Sequence, residues 1–174
     1  KLFLDSVISE RALREIYLKG FEIAVKRGKA DSIMTTYGSV NGIWTAGSFD
    51  LNTTILREEW GFKGFTMTDW WANINERGGK PTRNNFAAMA RAQNDVYMVC
   101  ADSSDNDDTT AESLENGTLT KAELQRNAKN ILTLLLKTNA LKRLSGEADT
   151  VEIIGRDDSE NEESAPVIDR KSTR

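Results

Sequence analysis

A chain of 174 residues, 39% hydrophobic and 29% charged, has the composition of an ordinary globular protein with enough apolar material for one core. Its 23 basic and 27 acidic residues leave a net charge of −4, and the acids gather at DSSDNDD (102–108) and in the last thirty residues, unlike the clustered Lys and Arg of a nucleic-acid surface. Histidine is absent, which excludes His-based triads and His-ligated metals from this chain, and Cys100, the single cysteine, cannot close an internal disulfide. The most apolar run, ILTLLL at 131–136, is far short of the ~20 residues that cross a bilayer, so neither nucleic acid nor membrane is expected as a partner. Lys1 stands where an initiator Met would, so the sequence is expected to begin inside a longer polypeptide. The compartment stays open, with the cytoplasm slightly favoured. Two short sequons, Asn52-Thr53-Thr54 and Asn116-Gly117-Thr118, are expected to be unused.

Taken in chain order, the first predicted element is SERALREIYLKGFEIAVKRG (9–28), which sets Leu13, Ile16, Tyr17, Gly20, Phe21 and Ala24 at helical spacing, with Ser9 to cap and Gly28 to stop. Ile33, Met34, Thr35 and Thr36 predict a short strand covered on both faces. YGSVNGIWTAGSF reads as a polar loop, and after it a helix over roughly 50–60 is capped by Asp50 and ended by Gly61. A strand begins at Gly64 and leads through FTMT to Asp69; NNFAAMARAQ then predicts a helix, NDVYMVC a strand, and TTAESLENG a short helix ended by Gly117. Thr120 and Glu123 form a capping box for a last helix whose apolar stripe is Leu124, Ala128, Ile131, Leu132 and Leu135. Strands alternating with helices at this interval predict an α/β fold with parallel pairing. From about Ser145 the chain is acidic and Ser-rich, read as a flexible tail with at most a short VEII strand.

In a parallel α/β array the carboxyl ends of the strands lie on one side, where ligands bind. Thr36 or Tyr37, Asp69 and Cys100 mark those ends. Asp69 either caps the next helix or acts chemically at the rim of the core, and the residues alone leave both open. Trp70 and Trp71 place broad apolar surface beside that charge, suited to packing over the core or to stacking on sugar C–H faces. Tyr37 stands at the end of the preceding strand, within sideways reach of such a carboxylate or simply packed at the rim. DSSDNDD lacks the central glycine and closing glutamate of a calcium loop, so it is read as solvated and no metal site is expected. Cys100, inside an apolar run, is read as buried rather than reactive.

Several stretches, in order, resemble glycoside hydrolase family 3. SERALREIYLKGFEIAVK resembles the family's helix before its sixth barrel strand, IMTTYGSVNG its Met-x-Ser-Tyr-Asn-x-x-Asn-Gly segment, and ILREEWGFKGFTMTDWWA its long signature ending in Ser-Asp-Trp. AMARAQNDVYMVC is similar, more loosely, to the segment around the eighth strand, and LENGTLTKAELQRNAKNIL to the closing helices. The resemblance spans roughly residues 5–144 and implies the carboxyl-terminal part of a (β/α)8 TIM-like barrel over residues 1–144, incomplete in this chain, with 145–174 as the tail.

The same resemblance implies a retaining β-glucosidase without cofactor. Asp69 would be the nucleophile that forms a covalent glycosyl-enzyme, Tyr37 the tyrosine that hydrogen-bonds it, Met34 a residue lining the glycone pocket, and Trp70 the aromatic flanking the sugar. The substrate would be a β-glucoside or oligosaccharide. The acid/base usually lies on a separate sandwich domain, and the Lys-His pair and arginine that grip the glycone lie upstream. A barrel needs about 200 residues or more, so a companion polypeptide or domain is expected to carry the rest, this chain being a proteolytic or truncated piece or the end of an inverted domain order. Departures are TYG for Ser-Tyr-Asn, TDWW for Ser-Asp-Trp, and Asn94-Asp95 for the usual glycine before Asp. Gly38 in place of Asn puts substrate preference in doubt more than chemistry. β-Xylosides or other exo-glycosidase substrates, and an inactive carbohydrate-binding relative, are the alternatives.

Overall fold

The structure is a computed structural model that describes residues 4–99 and 107–146. Cys100, residues 102–106 of the acidic loop, and the VEII segment with the tail from 147 onward lie outside the described residues. The first element, β1 (Asp5–Ser6), has no counterpart among the sequence expectations. The helical stretch after it is capped as predicted, Ser9 Oγ accepting from Ala12 N–H, but it is not one regular helix. α1 (Glu10–Ala12) passes through a π-helical turn (Leu13–Tyr17) into α2 (Lys19–Lys26). Its apolar stripe is largely uncovered: Ile16, Tyr17 and Phe21 are 69%, 59% and 52% exposed, while Val25 is buried.

β2 (Ser32–Met34) comes next, and here one expectation fails. Ile33 packs towards Val25, Leu56 and Phe62, yet Ser32 and Met34 are exposed, so one face of the strand is open rather than both being covered. The segment read as a polar loop is ordered: β3 (Ser39–Val40) and β4 (Ile43–Trp44) form an antiparallel hairpin. The reason is Asn41-Gly42, whose φ values of 51° and 82° match the two left-handed positions of a tight two-residue hairpin turn. β1 joins this hairpin by pairing in parallel with β3, and the Asn41 carboxamide locks the join by accepting from Ile8 N–H and donating to Ile8 C=O, both at 2.9 Å.

A 3₁₀ turn (Thr45–Gly47) leads into a π-helical segment, Asp50–Glu59. Asp50 lies inside that segment rather than capping it; Ser48, extended at ψ 103°, does the capping, its Oγ accepting from Leu51 N–H. Asn52 is buried and donates to Thr45 C=O at 2.8 Å, so the first sequon is closed to a glycan in the folded chain. Gly61 ends the segment with φ 73°. Gly64 is required by close approach, since a Cβ there would lie 2.0 Å from Asp31 C=O.

β5 (Phe65–Trp70), α3 (Phe86–Arg91, capped by Asn85), β6 (Val96–Met98), α4 (Thr110–Glu115) and α5 (Lys121–Leu135) complete the unit that ends at Thr138; α6 (Asn139–Leu144) belongs to a second unit. β2, β5 and β6 pair in parallel in that order, with Met34 opposite Met67 and Met67 opposite Val96, as the alternation of strands and helices predicts. The capping box of α5 is present in both directions. Its stripe differs from expectation, however: Leu132 and Leu135 are exposed and Asn127 is the buried residue, because the inner face of α5 serves polar groups.

Those polar groups are an ion pair. Arg57 and Asp95 meet at 2.7 Å with side chains 8% and 0% exposed. Asp95 also accepts from Thr66 N–H and Asn130 Nδ2, and Arg57 donates to the carbonyls of Gly64 and Gln93, so the π-helical segment, the starts of β5 and β6, and α5 are tied at one point. Burial raises the Asp95 carboxyl and lowers the Arg57 guanidinium, each from its ordinary range, while their mutual attraction opposes both shifts. Around the pair lie the core clusters, among them Val25, Leu56 and Phe62, each contributing roughly 1.5–3 kcal/mol by burial. Among the described residues no helix is long and apolar enough to cross a membrane.

Candidate active site

The residues singled out from the sequence stand at the carboxyl ends of two adjacent parallel strands. Asp69 is the penultimate residue of β5, half-buried, and its Oδ1 accepts from Trp70 N–H at 2.8 Å. A bond of that kind orients one carboxylate oxygen. Met34 ends β2, 48% exposed and in register with Met67, two residues before Asp69. Tyr37 is half-buried against a cluster that includes Ala46, Ala72 and Ile74, so it packs beside the segment that leaves Asp69.

The strand end is irregular at the carboxylate itself. Met67 pairs with Val96 and Trp70 with Met98, so Thr68 and Asp69 together stand opposite the single residue Tyr97, a β-bulge. Thr68 is fully buried, and its Oγ1 accepts from Met98 N–H at 2.9 Å. Met98 C=O in turn accepts from Trp71 N–H at 3.0 Å. Trp71 has φ 52°, a left-handed conformation that a bulky side chain rarely takes.

The chain beyond the bulge is fastened from two sides. Tyr97 stacks edge-on against Phe86, with ring centroids 5.0 Å apart, and donates its hydroxyl to Ala72 C=O at 3.0 Å. Asn75, buried, accepts from Trp44 N–H and donates to the carbonyls of Gly42 and Gly79, joining the β3–β4 hairpin to the loop after β5. Gly47 admits that loop, since a Cβ there would meet Asn75 C=O at 2.5 Å. Asn94 is fully buried and donates to Thr35 Oγ1 and Ala46 C=O, crosslinking the end of β2 to the 3₁₀ turn. Sequence reasoning did not single out Thr68, Asn75 or Tyr97; Val-Asn-Gly-Ile was the signal for the hairpin, whereas nothing local marks a buried amide that serves three backbone groups.

Burial pushes the Tyr97 hydroxyl up to about 12. Because the folded value lies above the ordinary 10.0, this contribution to stability is complete below pH ~10 and is lost as pH rises through about 12. Tyr97→Phe should therefore flatten the alkaline unfolding limb and cost about 1 kcal/mol at neutral pH through the lost bond to Ala72. Urea unfolding at two pH values measures both, and an unchanged alkaline limb would contradict the assignment.

Residues 5–134 match the model of the glycosyl hydrolase family 3 N terminal domain. The chain belongs to that family. Among family 3 relatives, a β-glucosidase of Ruminococcus albus is 67% identical over 154 residues, covering 88% of this chain and 16% of the relative. An exo-α-(1→6)-L-arabinopyranosidase of Bifidobacterium breve is 37% identical over 140 residues, covering 80% and 17%. A β-glucosidase structure from Paenibacillus barengoltzii superposes with a TM-score of 0.77 at 56% identity, over 82% of this chain and 16% of that one. β-Glucosidase 3B of Thermotoga neapolitana in complex with α-D-glucose gives 0.71 at 36% identity, over 82% and 19%. The chain thus spans less than a fifth of the length of each of these proteins.

Proposed function

We propose that residues 1–144 form the carboxyl-terminal part of a (β/α)8 barrel, with 145–174 an acidic tail, in a retaining exo-β-glucosidase whose nucleophile is Asp69. The observation that carries this reading is the placement of Asp69: a half-buried carboxylate, oriented by Trp70 N–H, at the carboxyl end of the middle of three parallel strands. Such a group can attack the anomeric carbon of a terminal non-reducing β-D-glucosyl residue. The bond from that carbon to the leaving oxygen breaks, and the oxygen takes a proton from a second carboxylic acid about 5 Å from the first. The same group, now a carboxylate, removes a proton from water, whose oxygen displaces Asp69 and releases β-glucose. The partner must carry a raised pKa so that it holds its proton until the leaving oxygen takes it. Tyr37 would hydrogen-bond the nucleophile, Met34 would line the glycone pocket, and Trp70 would flank the sugar. No cofactor takes part.

The acid/base and the remaining glycone contacts would come from a companion part of the enzyme. Three observations support this. The chain spans only 16% of its Ruminococcus relative, a barrel takes about 200 residues or more, and the exposed Ile16, Tyr17, Phe21 and Met34 form apolar surface suited to burial against further strands and helices. An open cleft of about 410 Å³, lined by Leu4, Phe21, Met34 and Trp60 among others, lies on this side. On its own the chain would be inactive.

A different glycone is the second reading, favoured by Gly38, which removes a polar side chain from the rim, and by the named activity of the Bifidobacterium relative. The complete enzyme is expected to hydrolyse an aryl β-glucoside with the β-anomer of glucose appearing first, as monitored by NMR of fresh product. First appearance of the α-anomer, or sugar binding with no turnover, would rule the retaining reading out; faster turnover of a pentopyranoside would favour the second.

A further inference from the structure

We propose that Thr68 is a positioning residue: its hydroxyl holds open the bulge that aims Asp69, an inference that rests on Asp69 being the nucleophile. In an unbroken parallel ladder the N–H and C=O of one residue bond to backbone groups two residues apart on the neighbouring strand. At Met98 the carbonyl accepts from Trp71 N–H at 3.0 Å, and on the other side of the bulge the N–H also donates to a side chain, Thr68 Oγ1, at 2.9 Å. These two bonds straddle Asp69 and Trp70. The hydroxyl adds a side-chain acceptor on the near side of the bulge, and Trp71, held at φ 52°, closes the far side.

The strain at Trp71 is informative because a bulky residue keeps a left-handed conformation only where its surroundings over-determine it. Thr68 is fully buried, so water cannot readily stand in for its hydroxyl. A valine would fill the same volume without an acceptor, so the near side of the bulge would lose its side-chain tie to Met98 N–H and the strand end would be free to shift towards regular register. Such a shift moves Asp69, and a displacement of about 1 Å at a reacting group costs on the order of a hundredfold in rate.

Thr66 supplies the comparison. It lies on the same strand and is also fully buried, and its hydroxyl donates to Gln93 C=O at 2.7 Å, but it lies before the bulge. The test uses the complete enzyme and a 2-deoxy-2-fluoroglucoside with a dinitrophenolate leaving group. Asp69 displaces the phenolate, which leaves with the bonding electrons and needs no proton, and the glycosyl ester accumulates. The rate constant of labelling reports the aim of the nucleophile, while the labelled fraction reports how much enzyme is folded. Thr68→Val and Thr68→Ala should each label ten- to a hundredfold more slowly to a normal endpoint, Thr68→Ser should stay within about threefold of wild type, and Thr66→Val should lower thermal stability but not the rate. Thr68→Val labelling at the wild-type rate, or Thr66→Val slowing equally, would overturn the inference. Wild type that is never labelled on Asp69 would instead overturn the functional reading on which it rests.

Discussion

Asp69→Ala is expected to lower kcat/KM of the complete enzyme for an aryl β-glucoside by about 10⁴-fold or more, with Asp69→Asn close behind, because a group that forms the covalent bond cannot be replaced by a neighbour. Stability should change little. Asp69 is half-buried, and the Trp70 N–H that it binds can turn to water instead. Azide, small enough to occupy the space of the lost carboxylate, should restore turnover of an activated aryl glucoside by Asp69→Ala and leave an α-glucosyl azide, since it attacks from the face the carboxylate held. A helix-capping Asp69 predicts the opposite result: a stability loss of about 1 kcal/mol, near-normal turnover and no azide product.

The second large effect concerns stability. Asp95→Ala should destabilise the fold by about 3–5 kcal/mol, because it leaves the Arg57 guanidinium buried without a counter-charge and orphans Thr66 N–H and Asn130 Nδ2. The pair itself is not a strong net stabiliser. Burial works against the charged form of both partners, so the double variant Arg57→Met, Asp95→Leu should recover much of the loss. The urea midpoints of Arg57→Met, Asp95→Leu and the double variant measure this as a cycle. Independent, additive losses would contradict the coupling.

The sequence carried the features that depend on local spacing and missed those that depend on long-range partners. Ser9 and the Thr120–Glu123 box cap helices as expected, because a cap is decided within three or four residues. The parallel pairing of the three central strands was also legible, since it follows from alternating strands and helices. Asp50 does not cap because Ser48, two residues earlier, competes for the same role and wins with an extended backbone. The hairpin was hidden by polar composition, although Asn41-Gly42 is a strong turn signal once flanking strands two residues long are allowed. The stripe on α5 departs from expectation for a different reason: its inner face answers to Asp95 and Asn94, more than thirty residues away, through Asn130 and Asn127. Met34 was expected to be covered and is not, because the material proposed to cover it lies outside this chain. At the candidate site Asp69, Trp70 and Tyr37 stood out as strand-end and aromatic residues, whereas their expected roles and Met34 came only from the family resemblance; the bulge at Thr68 was not legible at all, since register is a property of two strands together.

The most direct measurement is peptide mapping by mass spectrometry of the complete enzyme after reaction with the 2-deoxy-2-fluoroglucoside. The account predicts one glycosyl adduct per active site, carried by the peptide that contains TMTDWW and located on Asp69. An adduct on another carboxylate, with Asp69 unmodified, would contradict it.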